Sequence, residues 1–310
     1  MKKTVGLFLA ALLLASCLGP AALADTYNIS LIAMDSMDEH WRKVRAGAED
    51  AAAELGNVKL TFDTPSTKVD ATIVQAQLVQ NQIDSRVDAI ILAAASKDAL
   101  APVVEQAKEA GIVVILIDSG VSTNSYDAFY ATDNAAAARL AADEMAQRIE
   151  GRGKVAIVNA QAGAGTTMTR ENEFKDHIAV HYPDIEVVDV QYSDGDKTKA
   201  FNIAIDFMAH FPDLAGIYGC NEGSTVGVGS AVEQAGKAGE VKVVGFDFSS
   251  DVKELIARGA IQATMAQNPY NMGYLGVMGA VDMLAGRGVE ARDVDTGVTV
   301  ATLENLEEIH

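Results

Sequence analysis

From Tyr27 onward, short runs of Val, Ile, Leu and Ala alternate with longer stretches in which apolar residues recur every three to four positions. Runs of the first kind suit strands buried on both faces, and the amphipathic stretches between them suit crossover helices. The pattern predicts a strand over Tyr27–Met34, a helix over Glu39–Leu55, a strand over Val58–Phe62 and a helix over Asp70–Ile83. In the last of these, Ile73, Val74, Leu78 and Val79 share helical spacing. Ala89–Leu92, a helix over Ala99–Ala110 and a strand over Ile112–Ile117 complete an open α/β lobe of four strands and three helices.

The cycle then starts again. A helix over Ala135–Ile149 leads to a strand at Val155–Val158, a helix over Thr167–His181 and a strand at Ile185–Val190. A helix over Lys197–His210, a strand at Gly216–Tyr218, a helix over Ser224–Ala235, a strand at Lys242–Phe246 and a short helix over Asp251–Ala257 follow. The tail holds an apolar run at Ala260–Ala266, a helix over Asn271–Ala285 and a strand over Gly297–Ala301, too little for a third domain, so it must add to the first two. The fold class is therefore α/β, with two doubly wound open parallel-sheet lobes that interleave. Open parallel sheets take ligands at the carboxyl ends of their strands, which places function in a cleft between the lobes.

Charge narrows the partners. A formal net charge of −19 repels phosphate backbones and anionic lipid headgroups, so nucleic acid and a membrane surface are poor partners. Residues 1–24 read as an export signal: Lys2 and Lys3, an apolar run from Val5 to Ala15, then Ala22-Leu23-Ala24 before Asp25. Leu14-Ala15-Ser16-Cys17 offers a second reading as a lipoprotein signal, with Cys17 as the lipid-anchored residue. Both send the protein out of the cytoplasm, to the periplasm. The other cysteine, Cys220, has no intrachain partner for a disulfide in the mature chain.

Enzyme and nucleotide motifs are missing. The chain has no P-loop and no Gly-x-Ser-x-Gly elbow, and Gly163-Ala164-Gly165 lacks the third glycine of a dinucleotide fingerprint and reads as a tight turn. His177 and His181 share a helix face at metal-pair spacing, but Ile178 stands where a zinc hydrolase has glutamate, so a solvated face is expected. No catalytic residue, metal or cofactor is predicted.

Five segments carry a family resemblance. They are Val243-Val244-Gly245-Phe246-Asp247, Gly219-Cys220-Asn221-Glu222, Gln267-Asn268-Pro269 with Gly273, Arg170 four residues before Phe174, and Ala131-Thr132-Asp133-Asn134. In these the chain resembles the ribose-binding-protein family, type I substrate-binding proteins of ABC sugar importers, over essentially all of the mature sequence. The resemblance implies a three-segment hinge, with crossings near Ser119–Asp133, Ala266–Gly273 and Val289–Val294. It divides the chain into an N-terminal lobe, 25–131 plus 268–291, and a C-terminal lobe, 132–267 plus 292–310. It also implies a ligand site of Asp38, His40, Trp41, Asp118, Ser119, Arg170, Asn221, Asp247 and Gln267, with His40 and Trp41 at the family's stacking positions.

The chemistry of a sugar asks for the same residue types. Each hydroxyl both donates and accepts, so a dry cleft needs carboxylates, amides and a guanidinium, and C–H faces need an aromatic ring. Two residue roles stay open: Trp41 also suits a core anchor on the first helix, and Asp118 and Asp247 also suit helix N-caps. Asp38 stands for a family asparagine, Ser119 for an arginine, Ala93 for an asparagine and Gly195 for a phenylalanine. The cleft has thus lost a cation and gained a carboxylate, which favours a pentose, hexose or polyol over simple ribose or an anionic sugar acid. The expected protein is a monomer that delivers this ligand to an ABC importer permease; the alternative is a sensory receptor presenting a signal sugar to a chemoreceptor or sensor kinase.

Overall fold

In the computed structural model, which describes residues 26–36, 38–66, 70–162 and 165–309, the apolar runs become two six-stranded sheets. The export segment with Cys17, the Gly163-Ala164 pair and His310 lie outside the described residues. In chain order the first lobe is built from β1 (Tyr27–Ile32), α1 (Glu39–Leu55), β2 (Val58–Asp63), α2 (Ala71–Asp84), β3 (Ala89–Leu92), α3 (Ala101–Glu109), β4 (Val113–Ile117) and β5 (Ala128–Ala131). The second lobe follows as α4 (Asn134–Arg148), β6 (Gly153–Asn159), α5 (Gly165–His181), β7 (Ile185–Tyr192), α6 (Lys197–His210), β8 (Leu214–Gly219), α7 (Glu222–Gln234), β9 (Lys242–Phe246), α8 (Ser250–Ala257) and β10 (Ala263–Gln267). Helix α9 (Pro269–Leu284) returns to the first lobe, and β11 (Asp293–Asp295) and β12 (Val298–Ala301) end the chain's regular structure.

The sheet orders are β11-β5-β4-β3-β1-β2 and β12-β10-β9-β8-β6-β7. Each begins its winding at an inner strand, β1 or β6, so both sheets are doubly wound. Strand β3 is buried at every residue because helices cover both faces: α1 and α9 on one side, α2 and α3 on the other. The second sheet is covered by α4 and α5 on one face and by α6, α7 and α8 on the other.

Two strands escape the sequence pattern, and they correct the lobe boundary. β5 is four residues long and β11 is Asp-Val-Asp, too short or too polar for periodicity to show; pairing with neighbours makes them strands. Because β11 pairs with β5, residues 293–295 belong to the first sheet, and the third crossing lies at Thr296–Gly297 rather than at 291–292. Strand β12 also runs antiparallel to β10, against the expectation of wholly parallel sheets. Between β10 and β12 the chain leaves for the first lobe through α9 and β11 and re-enters the second sheet at its edge, two residues after β11.

The first and third crossings lie side by side. Thr296 N donates to Ala131 O at 2.9 Å, Asp133 N to Asp295 Oδ1 at 3.0 Å, and Gly297 takes a φ of 84°. The second crossing runs through Gln267 into Asn268, whose side chain caps α9 ahead of Pro269. Helix α9 then packs on α1 with backbones nearly touching: a Cβ on Gly273 would sit 1.9 Å from Val44 O, and one on Gly47 would sit 2.0 Å from Tyr270 O.

Candidate functional site

The carboxyl ends of both sheets face one cavity of about 150 Å³. A cavity of about that volume takes a single six-membered ring. The loop after β1, the starts of α1 and α2, and Asp118 wall it on the first lobe; Thr167, Arg170, Asn221 and Asp247 wall it on the second, and Gln267 on the hinge.

Asp118 and Asp247 occupy equivalent places, each following the last residue of a strand, β4 or β9. Both adopt left-handed backbone, with φ of 57° and 72°, a conformation that aspartate tolerates better than most residues. In each case the N–H still bonds the next strand, to Tyr130 O at 3.0 Å and Met265 O at 2.9 Å, so the chain turns sharply just as the carboxylate leaves the sheet. Neither caps the helix that follows it: Ser249 caps α8, while Asp247 Oδ2 accepts the N–H of Glu222 at 2.7 Å and Oδ1 that of the Gln267 amide at 2.5 Å.

Arg170 is held from three sides. Its Nε donates to Asn134 Oδ1 at 2.7 Å, its Nη1 to Cys220 O at 3.0 Å, and its guanidinium lies 3.7 Å from the Phe246 ring centre. These bonds use two of its five donors. Asn221 caps α7, accepting from Ser224 N at 3.1 Å through Oδ1, which leaves its amide NH₂ for the cavity it lines.

His40 is buried between the lobes, with Nε2 3.2 Å from Asp118 Oδ1 and Nδ1 3.7 Å from Asp247 Oδ1. Burial alone would favour the neutral ring, but the two carboxylates outweigh burial and the opposing Arg170, and raise its pKa above the usual histidine value. In return, burial of Asp118 is outweighed by His40, Arg170 and the Ser119 hydroxyl, which hold its carboxyl below the ordinary range. Glu222 behaves oppositely: burial, with Asp38 and Asp247 nearby, lifts it to about 7 despite Lys197 Nζ at 3.6 Å.

Trp41 belongs to the core and also reaches the cavity. It packs in the first-lobe core with Val44 and Met272, and it lines the cavity. Asp38 lines the cavity too, its N–H bonded to Asp35 Oδ1 at 3.1 Å. Ser119 does not line it; its hydroxyl donates to Asp118 Oδ2 at 2.8 Å and so steadies the carboxylate from behind. His177, expected on a solvated face, is instead half-buried with Nε2 2.7 Å from Asp143 Oδ1, and it does not line the cavity.

Sequence reasoning missed Thr167, Asp35, Gln161 and Asp194, which also line the cavity. Thr167 sits three residues before Arg170 on α5, the spacing that puts two side chains on one helix face, and that spacing was the available signal. Its hydroxyl, His40 Nε2 and Gln267 Oε1 are buried without a hydrogen-bond partner among the described residues. A first-lobe helix, a second-lobe helix and the hinge each contribute one residue carrying such an atom to the cavity lining.

Residues 29–288 match the family described as periplasmic binding protein domain. A D-ribose/D-allose-binding protein of Pseudomonas aeruginosa is 32% identical over 240 residues, 74% of this chain and 75% of that one. An ABC transporter solute-binding protein from Agrobacterium vitis, solved with bound D-fucose, superposes with a TM-score of 0.87 at 37% identity, covering 91% of this chain and 97% of the other. A carbohydrate transporter solute-binding protein from Agrobacterium radiobacter, in complex with D-arabinose, gives 0.88 at 31% identity over 93% and 99%. The two-lobed fold, the cleft at the strand ends and this family match converge on one assignment: the chain belongs to the periplasmic binding proteins, in their ribose-binding-like branch.

Proposed function

We propose that the protein captures a monosaccharide or sugar-like polyol in the interlobe cavity, outside the cytoplasm, and hands it to an ABC importer permease. One observation carries this reading: charged and amide groups of both lobes and the hinge converge on a ring-sized cavity with hydrogen-bonding capacity still unused. Such a wall suits a molecule dense in hydroxyls, because each unmatched buried polar group costs about 1–3 kcal/mol and so reads hydroxyl stereochemistry. In this reading Asp118 and Asp247 accept ligand hydroxyls, Arg170, Asn221 and His40 donate, Gln267 bridges hinge and ligand, Trp41 meets the C–H face and Asp38 closes the rim. Ser119 acts through Asp118. The related proteins that hold D-fucose and D-arabinose support the ligand class.

Nothing in the assignment calls for a chemical step, and the protein acts as a carrier, alone as a monomer until it meets the permease. Mass spectrometry of ligand that copurifies, with a thermal-shift panel of D-fucose, D-arabinose, D-allose, D-ribose and xylitol, tests it. At least one should raise the melting temperature and bind with one-to-one stoichiometry; a panel without any binder, and no copurified polyhydroxy compound, would overturn the sugar reading.

A further inference from the structure

His40 takes the place of a stacking ring in the family pattern, yet its surroundings are those of a charged group. It is 8% exposed, and its ring meets Trp41 edge-on, with centroids 4.7 Å apart at 78°. Nε2 lies at ion-pair distance from Asp118 Oδ1 but makes no hydrogen bond among the described residues, on a side chain that lines the cavity. The other ring nitrogen faces Asp247, on the opposite lobe. The charged groups around the ring are Asp118 after β4, Asp247 after β9, Arg170 on α5, Glu222 at the start of α7 and Lys43 one turn along α1. A neutral ring would leave the two aspartates opposed across a closed cavity with Arg170 as the chief counter-charge. A protonated ring offsets both and makes both nitrogens donors.

We propose that His40 is an imidazolium donor to the bound sugar, held between the carboxylates of the two lobes, so that it selects ligands offering an acceptor oxygen at Nε2 and couples their capture to a proton. The inference rests on the sugar reading above. Closing the lobes brings Asp247 to a ring that already faces Asp118, so the closed form holds the proton more tightly than the open one. A group raised in this way contributes most below its ordinary value of 6.5 and loses its contribution as pH rises through the elevated one. Affinity therefore weakens on the alkaline side.

Two measurements separate this inference from the sugar reading. Trp41 is the only tryptophan, and an imidazolium against its ring quenches emission. In ligand-free protein between pH 5 and 9, emission should rise as the ring loses its proton and should not titrate in His40→Gln; emission that does not titrate, or the same titration in the variant, overturns the proposal. Second, the panel sugar that most raises the melting temperature should bind about fivefold more weakly at pH 9 than at pH 7, and His40→Gln, which keeps an N–H donor, should change by no more than about twofold. His40→Phe should weaken binding at both pH values. Equal wild-type affinity at both, an equal loss in His40→Gln, or wild-type affinity in His40→Phe overturns the donor role. If no panel sugar binds at any pH, the sugar reading fails, and the emission titration still decides whether His40 is the imidazolium.

Discussion

Glu222 Oε2 accepts the backbone N–H of Glu39 at 3.0 Å, so the first residue of α7 in one lobe caps the first turn of α1 in the other. The favour is returned: the Glu39 carboxylate accepts Ser250 N–H at 3.1 Å and Ser250 Oγ–H at 2.8 Å, at the amino end of α8. Negative charge at a helix amino terminus is stabilised by the unpaired N–H groups there. With Lys43 Nζ donating to Phe248 O at 3.1 Å, these bonds form a clasp that joins the two lobes and that any parting of them would have to break.

The clasp predicts a pH dependence in the acidic range. With Asp247 beside it in its own lobe and Asp38 across the cleft, burial lifts Glu222 from its ordinary 4.5 to about 7, so a closing movement that brings the first lobe against it would take up a proton. A raised value means that the closed form is favoured most below 4.5 and loses that support as pH rises through 7. Ligand affinity should fall by about tenfold or more between pH 5 and 7.5, and Glu222→Gln should flatten that segment. Calorimetric titrations at four pH values in both proteins check it; parallel curves would show that Glu222 does not couple to closure.

Much of this architecture is legible in the sequence. α1, α6, β3 and β9 fall where the periodicity puts them, to the residue, because each is a long amphipathic or fully buried run whose burial comes from its own lobe. β5 and β11 do not, because a four-residue and a three-residue strand owe their state to partners distant in sequence. The site divides in the same way. Asp118, Asp247, Asn221 and Gln267 stand at strand ends and next to recognisable segments, whereas Asp35, Gln161 and Asp194 reach the cavity through irregular loops that no periodicity describes. The Glu39–Glu222 clasp joins positions far apart in the chain, and nothing local marks either as its partner.

The α1–α9 contact predicts a sharp response to a single methyl group. Gly273→Ala places Cβ 1.9 Å from Val44 O and 3.1 Å from Ala48 N, both backbone atoms that move only if the helices separate. Loss of about 2–3 kcal/mol is expected, the upper part of the overpacking range. Gly120→Ala, whose Cβ would meet only the Phe129 ring at 3.6 Å, should be close to neutral. Denaturant melts of the two variants compare them directly, and equal midpoints would mean that the helices part more easily than their contact suggests.

Asp247→Ala should abolish binding while the protein still folds. The carboxylate organises Glu222 N–H and the Gln267 amide, and in the proposed complex it accepts ligand hydroxyls as well. Hydrogen bonds to a charged acceptor contribute about 1.5–3 kcal/mol each, so losing two weakens binding by at least about a hundredfold. Asp247→Asn, which keeps one acceptor oxygen, should fall between. Affinity of the alanine variant within threefold of wild type, with an unchanged circular dichroism spectrum, would count against the role.

Trp41 tests the link between core and cleft. The ring is 5% exposed and packs in the first-lobe core, yet it lines the cavity beside His40, so in the proposed reading one side chain serves stability and recognition together. Trp41→Ala removes a buried indole from the core and should cost about 3–5 kcal/mol of stability, enough to lower the melting temperature by several degrees. It should also weaken ligand binding by about 1–3 kcal/mol through loss of the aromatic contact, measured at a temperature where the variant is still folded. Trp41→Phe keeps a flat ring with smaller area and should recover a good part of both. In the wild type, ligand should shift the wavelength and intensity of the single-tryptophan emission, because closing replaces water at the cavity side of the ring with a sugar face. A variant that melts early but binds with wild-type affinity, together with an emission spectrum indifferent to saturating ligand, would assign Trp41 to the core alone and leave His40 as the ring that meets the ligand.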